Sequence, residues 1–200
     1  MDADFSVELG ADDPTLDFPW EALGTPLRFF DIKNEPDLLR FIDEAERYRE
    51  LRDFLAAINS QSSMFQTAKC DVWCVEELDP SEDIYEGSQK LASYVDLVLA
   101  SSTLSRTDFP THEKLAKRIV ELLGKAPELS AAAEFIIRRC YFHDAEPSEL
   151  GFYLTFYLSG YGADEADARQ RWGIALNLVQ NALLQISLET RRTATKPLSN

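Results

Sequence analysis

The chain's two histidines each adjoin a carboxylate, as His112-Glu113 and His143-Asp144. Brought together, two imidazoles and two carboxylates would suit zinc or a similar ion. The spacing gives this no local support, because there is no HExxH and no paired CxxC. Cys70 and Cys74 raise the same question. On a strand they share a face but lie about 13 Å apart, at roughly 3.3 Å per residue, too far to hold one ion. On a helix they would be neighbours. Cys140 and His143 pair a thiol with an imidazole, as a nucleophile and its base would. Their odd offset on a strand puts them on opposite faces, so a base for Cys140 would have to come through space, from His112. Gly160-Tyr161-Gly162 outlines a phosphate-cradling turn ahead of a helix. Asp164, Glu165 and Asp167 crowd that helix end and would repel phosphate, so the glycines read as freedom at a tight corner. The same acids form no EF-hand pattern. The residues therefore imply no metal and no cofactor, and they name no catalytic group.

Charge says more. Residues 1–105 hold 23 of the 35 acidic residues and only 8 of the 20 basic ones, a net of −15 that equals the charge of the whole chain. Such a field repels nucleic acid and anionic membrane and favours basic surfaces. Its densest stretch is Glu76, Glu77, Asp79, Glu82, Asp83 and Glu86, with no base among them. A second candidate surface is aromatic: Tyr153, Tyr157 and Tyr161 fall on one side of a strand, with Thr155 and Ser159 between them. Tyrosine-rich exposed faces suit protein interfaces. RNA-binding sheets also present aromatics, but in basic surroundings that this chain lacks. The six acids with Tyr153 and Tyr157 are the candidate partner-binding residues. A basic protein is the expected partner, and self-association through the tyrosine face of 152–161 is a second expectation.

The elements that must position these residues follow from periodicity. Residues 1–26, with three prolines and seven acids, read as an extended acidic arm. Phe5, Val7, Leu16, Phe18 and Trp20 are its anchors, either for the domain's own core or for a partner. A domain over 27–190 follows, with a disordered polar tail at 191–200. Leu27–Ile32 could form a short strand, and Asn34 reads as the cap of an amphipathic helix over 36–58. Alternation predicts a strand from Phe65 to Val75, with Ala68, Cys70, Val72 and Cys74 on one side. A second strand is expected over 90–100. Thr111 reads as the cap of a helix ending at Gly124. Residues 134–143 and 152–161 read as an antiparallel hairpin. Asp164 caps a long helix to about 190, with Arg191 and Arg192 at its negative end. The order α-β-β-α-β-β-α predicts a two-layer α+β fold: about four antiparallel strands with helices on one face.

The three cysteines cannot all pair, which suits a reduced, cytoplasmic protein. The N-terminus shows no signal-peptide pattern, and no apolar run reaches the roughly 20 residues that span a bilayer. These observations point to a protein-interaction module, of an inhibitor or immunity type, that works through an acidic surface. The alternative is a small enzyme or ligand-binding domain whose pocket gathers His112, His143, Cys140 and tyrosines.

Overall fold

The structure, a computed structural model, describes residues 1–85, 87–100, 104–144 and 146–194, without the side chains of Ser81, Asp83 and Ile84. It is mixed α/β. Strands β1 (Asp2–Val7), β2 (Thr15–Phe18), β3 (Phe65–Val75), β4 (Gln89–Leu99), β5 (Ala131–Phe142) and β6 (Glu149–Gly162) form one sheet in the order β1-β5-β6-β4-β3. β2 continues the line of β1 along β5. Helices α1 (Asp43–Arg47), α2 (Arg49–Ile58), α3 (Phe109–Leu123) and α4 (Glu165–Ala194) complete it, with 3-10 turns at Pro36–Phe41 and Pro80–Tyr85.

The expected sheet of four antiparallel strands is present as β3-β4 and β5-β6, with β4 antiparallel to β6. The expectation fails at the other edge, where β1 and β2 add in parallel to β5 and make the sheet six-stranded and mixed. Their short, acidic, proline-broken sequences carry little strand pattern of their own. Pairing to β5 decides their conformation.

The main core lies between one sheet face and α2, α3 and α4. Trp172, Phe54, Phe65, Phe135 and Phe156 are fully buried there. The expected helix over 36–58 is instead a 3-10 turn and two helices, because Ile42 and Tyr48 adopt extended backbone. The Tyr48 ring packs edge-on against Trp172 at 5.8 Å, with the Arg169 guanidinium above it at 5.1 Å. Tertiary packing overrides local helical preference here. Asn34 caps nothing: it bonds back to Asp31 in a turn. The cap of α3 is Asp108, whose carboxylate accepts from the Thr111 backbone and hydroxyl. Asp164 does cap the start of α4, accepting from the Asp167 N–H at 2.9 Å.

A bulge between Thr67 and Cys70 resets the faces of β3. Ala68 therefore joins the far side of the sheet, while Cys70 and Val72 pack toward the helices, so the single alternation expected for this strand does not hold. On the far side a second, smaller core gathers Leu16, Phe18, Val98, Cys140, Phe142 and Tyr153. Trp20 and Phe29 close over it, and Trp20 donates to the Ala68 carbonyl at 2.8 Å. Lys33 fastens the same segment by donating to the carbonyls of Ser60, Ser63 and Phe65. Residues 16–33 thus cover one end of the far face and leave the other end uncovered. Among the described residues, no helix is long and apolar enough to cross a membrane.

Candidate functional site

The uncovered end of the far face is built by strand register. One transverse row of paired residues reads Asp71 (β3), Tyr94 (β4), Tyr157 (β6), Glu134 (β5), Asp4 (β1). The next row reads Trp73, Ala92, Ser159, Ala132, Asp2. Side chains alternate across a sheet, so both rows project to the face opposite the helices. Bulky tyrosines in one row beside alanine and serine in the next make a trough. Tyr161, one row further on β6, forms its opposite wall, with Tyr85 stacked on it at 4.1 Å and an interplanar angle of 9°. At the β1 end the trough deepens to a basin of about 350 Å³, lined by Asp2, Asp4, Glu134, Tyr85, Tyr157 and Tyr161 over Ala132 and Ser159.

The electrostatics of the basin are one-sided. Asp2 accepts a hydrogen bond from the Tyr85 hydroxyl at 2.9 Å. Asp4 accepts from the Phe5 N–H, and Glu134 from the Ser6 hydroxyl. None of the three carboxylates has a cation within ion-pair distance among the described residues. The cations near the walls are already neutralised: Lys90 by Glu82, and Arg138 by Glu8 at 2.7 Å. Burial raises the Tyr85 hydroxyl to about 12, helped by its bond to Asp2. Burial raises Tyr161 too, together with its bond to Glu82.

Beside the tyrosine row runs a buried polar chain. Glu8 holds Arg138, Arg138 donates to the Thr155 hydroxyl at 3.1 Å, and that hydroxyl donates to Asp96 at 2.6 Å. Burial lifts the Asp96 carboxyl to about 6, against the Thr155 hydrogen bond and the nearby Lys69 and Arg138. Burial works against the Arg138 charge, yet its bonds to Glu8 and Tyr157 hold its pKa above the ordinary value.

The residues singled out in the sequence are divided by this geometry. Tyr157 lines the basin, half-buried. Tyr153 does not: it is buried in the second core beneath the N-terminal segment, and burial raises its hydroxyl to about 12. Glu82 is committed to Lys90 and to the Tyr161 hydroxyl. Through it the acidic stretch is tied to the tyrosine face. Glu76, Glu77 and Asp79 are exposed. Glu86 and the side chain of Asp83 lie outside the described residues.

The groups weighed for catalysis do not form a catalytic set. His112 is buried at the start of α3, with Nδ1 on the Asp108 carbonyl and its ring against Phe152. Burial holds its pKa down. Cys140 is buried in the second core, and burial raises its thiol far from any reactive range. His143 sits at the end of β5, bonded to Asp17 and Ser148. Among the described residues no three histidines, cysteines or acids gather as a metal would require. Gly160 and Gly162 serve packing, because a Cβ at either would meet the α4 backbone at 2.2 Å.

Sequence reading missed Asp2, Asp4, Tyr85, Glu134, Asp96 and Arg138. Alternation does place Tyr94 with Asp96, and Ala132 with Glu134. No local signal tells which strands those residues meet. A larger groove of about 440 Å³ lies along the outer edge of β3, between Trp20, Phe30 and Phe41. Its lining mixes Arg28 and Lys69 with Asp43, Glu44 and Asp71, so it selects no ligand charge. No protein-family model, curated protein or solved structure matches this chain.

Proposed function

We propose that this protein is an interaction module that holds a basic partner, in the manner of an inhibitor or immunity protein, through the acidic tyrosine trough on its uncovered sheet face. The observation that carries this reading is the lining of the basin: three carboxylates with no cation within ion-pair distance among the described residues, beside the half-buried Tyr85 and Tyr157, with Tyr161 buried against Tyr85. A basic segment laid there gains charge complementarity and a fast, salt-dependent encounter. Tyrosines supply amphipathic contact area at little cost in side-chain entropy. The exposed acids Glu76, Glu77 and Asp79 extend the same field. The alternative of a catalytic pocket lacks support from geometry, since His112 and Cys140 are buried in different places and His143 is bonded to Asp17 and Ser148 rather than to either of them.

The test compares three variants of equal charge change against a ten-residue peptide of mixed lysine and arginine. Asp2→Asn/Asp4→Asn/Glu134→Gln removes the basin's charge. Glu76→Gln/Glu77→Gln/Asp79→Asn removes that of the loop. Asp12→Asn/Glu46→Gln/Glu128→Gln removes exposed charge elsewhere. By calorimetry at low salt the basin variant loses roughly tenfold in affinity and the control less than about twofold, with all binding weakened at high salt. Equal losses in the basin variant and the control would overturn the reading. An unchanged loop variant would remove the loop from the surface.

A further inference from the structure

Resting on that reading, we infer that the basin seats a guanidinium: the side chain of an arginine carried on an extended segment of the partner. The uncovered sheet face commits to this occupant through charge and shape together. Asp4 and Glu134 are direct register partners on β1 and β5, and Asp2 lies one row along on the same face. A guanidinium presents five donors in a rigid planar fork and can engage two such carboxylates at once, whereas an ammonium is a compact, strongly hydrated point charge. Tyr157 is the direct register partner of Glu134 on the next strand, so a flat ring stands beside the carboxylates. Guanidinium stacks on such a face.

The molecule already shows the compatibility of that ring with the same group. The Arg138 guanidinium lies 5.7 Å from the Tyr157 centroid, and Glu8 holds it there. Arg138 is thereby engaged beside the basin and is not one of its lining residues; none of those is basic. The floor is made by Ala132 and Ser159, which leaves depth where larger side chains would fill it. A volume of about 350 Å³ is at the small end of ligand sites and suits one long side chain better than a larger ligand. The same field that attracts the cation repels a phosphate, so the selection excludes nucleic-acid backbone.

The probes are three blocked pentapeptides, acetyl-Gly-Ser-X-Ser-Gly-amide, with X as arginine, lysine or citrulline, titrated into the full chain at low salt and followed by backbone amide NMR. The arginine peptide shifts the amides of Ala132, Glu134 and Ser159 and binds roughly threefold tighter than the lysine peptide. The citrulline peptide, which keeps the shape and lacks the charge, leaves them unmoved. Tyr157→Phe keeps the arginine preference, because the ring is what stacks, and Tyr157→Leu abolishes it. Equal affinity for arginine and lysine, shifts confined to other residues, or an unchanged preference in Tyr157→Leu would each overturn the inference. These outcomes separate from the broader reading. If the basin variant loses the basic peptide while arginine shows no preference, the acidic surface stands and the guanidinium seat falls.

Discussion

Asp96 lies beside the tyrosine row, 5% exposed, with one oxygen bonded to the hydroxyl of Thr155, 59 residues away in the chain. Burial raises its carboxyl to about 6 from an ordinary 3.8. The folded protein therefore holds that proton more tightly than the unfolded chain between about pH 4 and pH 6. Stability from this group is present below the unfolded pKa and is lost as pH rises through the folded one. Asp96→Asn keeps the acceptor for Thr155 and removes the buried charge. In urea unfolding it is expected to match the parent near pH 4 and to exceed it by up to about 3 kcal/mol at pH 7, with the difference growing between pH 4 and 6. A difference that stays flat with pH would refute this. Of the residues involved, Thr155 and Tyr157 were legible in the sequence as sharing one face; their meeting with Asp96 was not. Tyr153 has the same parity and the opposite fate, since Phe18 and Phe142 belong to the core cluster that buries it. Periodicity assigns a face; it does not say what covers that face.

The elements themselves were largely legible, because helix and strand periods are local. The hairpin β5-β6, the strands β3 and β4 and the stripes of α2, α3 and α4 all follow from spacing of apolar residues. Where local reading failed, packing was the cause: the breaks at Ile42 and Tyr48, and the bulge in β3. Gly160 shows how closely two elements can meet. A Cβ there would lie 2.2 Å from the Trp172 nitrogen in α4, and neither backbone can yield. Gly160→Ala is expected to cost about 3 kcal/mol or more of folding stability. Gly124→Ala serves as the contrast. Its φ is −63°, and its nearest contact is an ordinary 3.4 Å, so it should be neutral or slightly stabilising. Equal stabilities of the two variants in chemical denaturation would contradict the close approach of β6 and α4.

At the scale of the whole molecule, β1 and β3, at opposite edges of the sheet, carry the same device. On β1 the Asp4 carboxylate accepts the Phe5 N–H at 2.7 Å, and on β3 the Asp71 carboxylate accepts the Val72 N–H at 2.7 Å. Each occupies an edge donor that a strand from another chain would need, and each adds negative charge to the edge. With a net charge of −15, mutual repulsion works in the same direction. Asp4→Ala/Asp71→Ala is therefore expected to self-associate more than the parent, most clearly at about 0.5 M salt, where repulsion is screened. Light scattering across a concentration series measures it, and identical apparent masses at every concentration would rule it out.

The amino-acid sequence by itself determined the mixed class, the helices-on-a-sheet layering, the parity of Tyr157 and the concentration of acid in residues 1–105, because each is a local or compositional property. It named the tyrosines and the acids as separate candidates. Only the tertiary structure decided that Tyr157 stays open while Tyr153 is covered, and that Glu82 is spent on Lys90 and Tyr161. It alone put Asp2 and Asp4 of an N-terminal strand beside Glu134 and Tyr157. The physical reason is register. Which residues share a row across five strands depends on pairings between segments far apart in the chain, and a shift of one residue would turn every side chain to the other face.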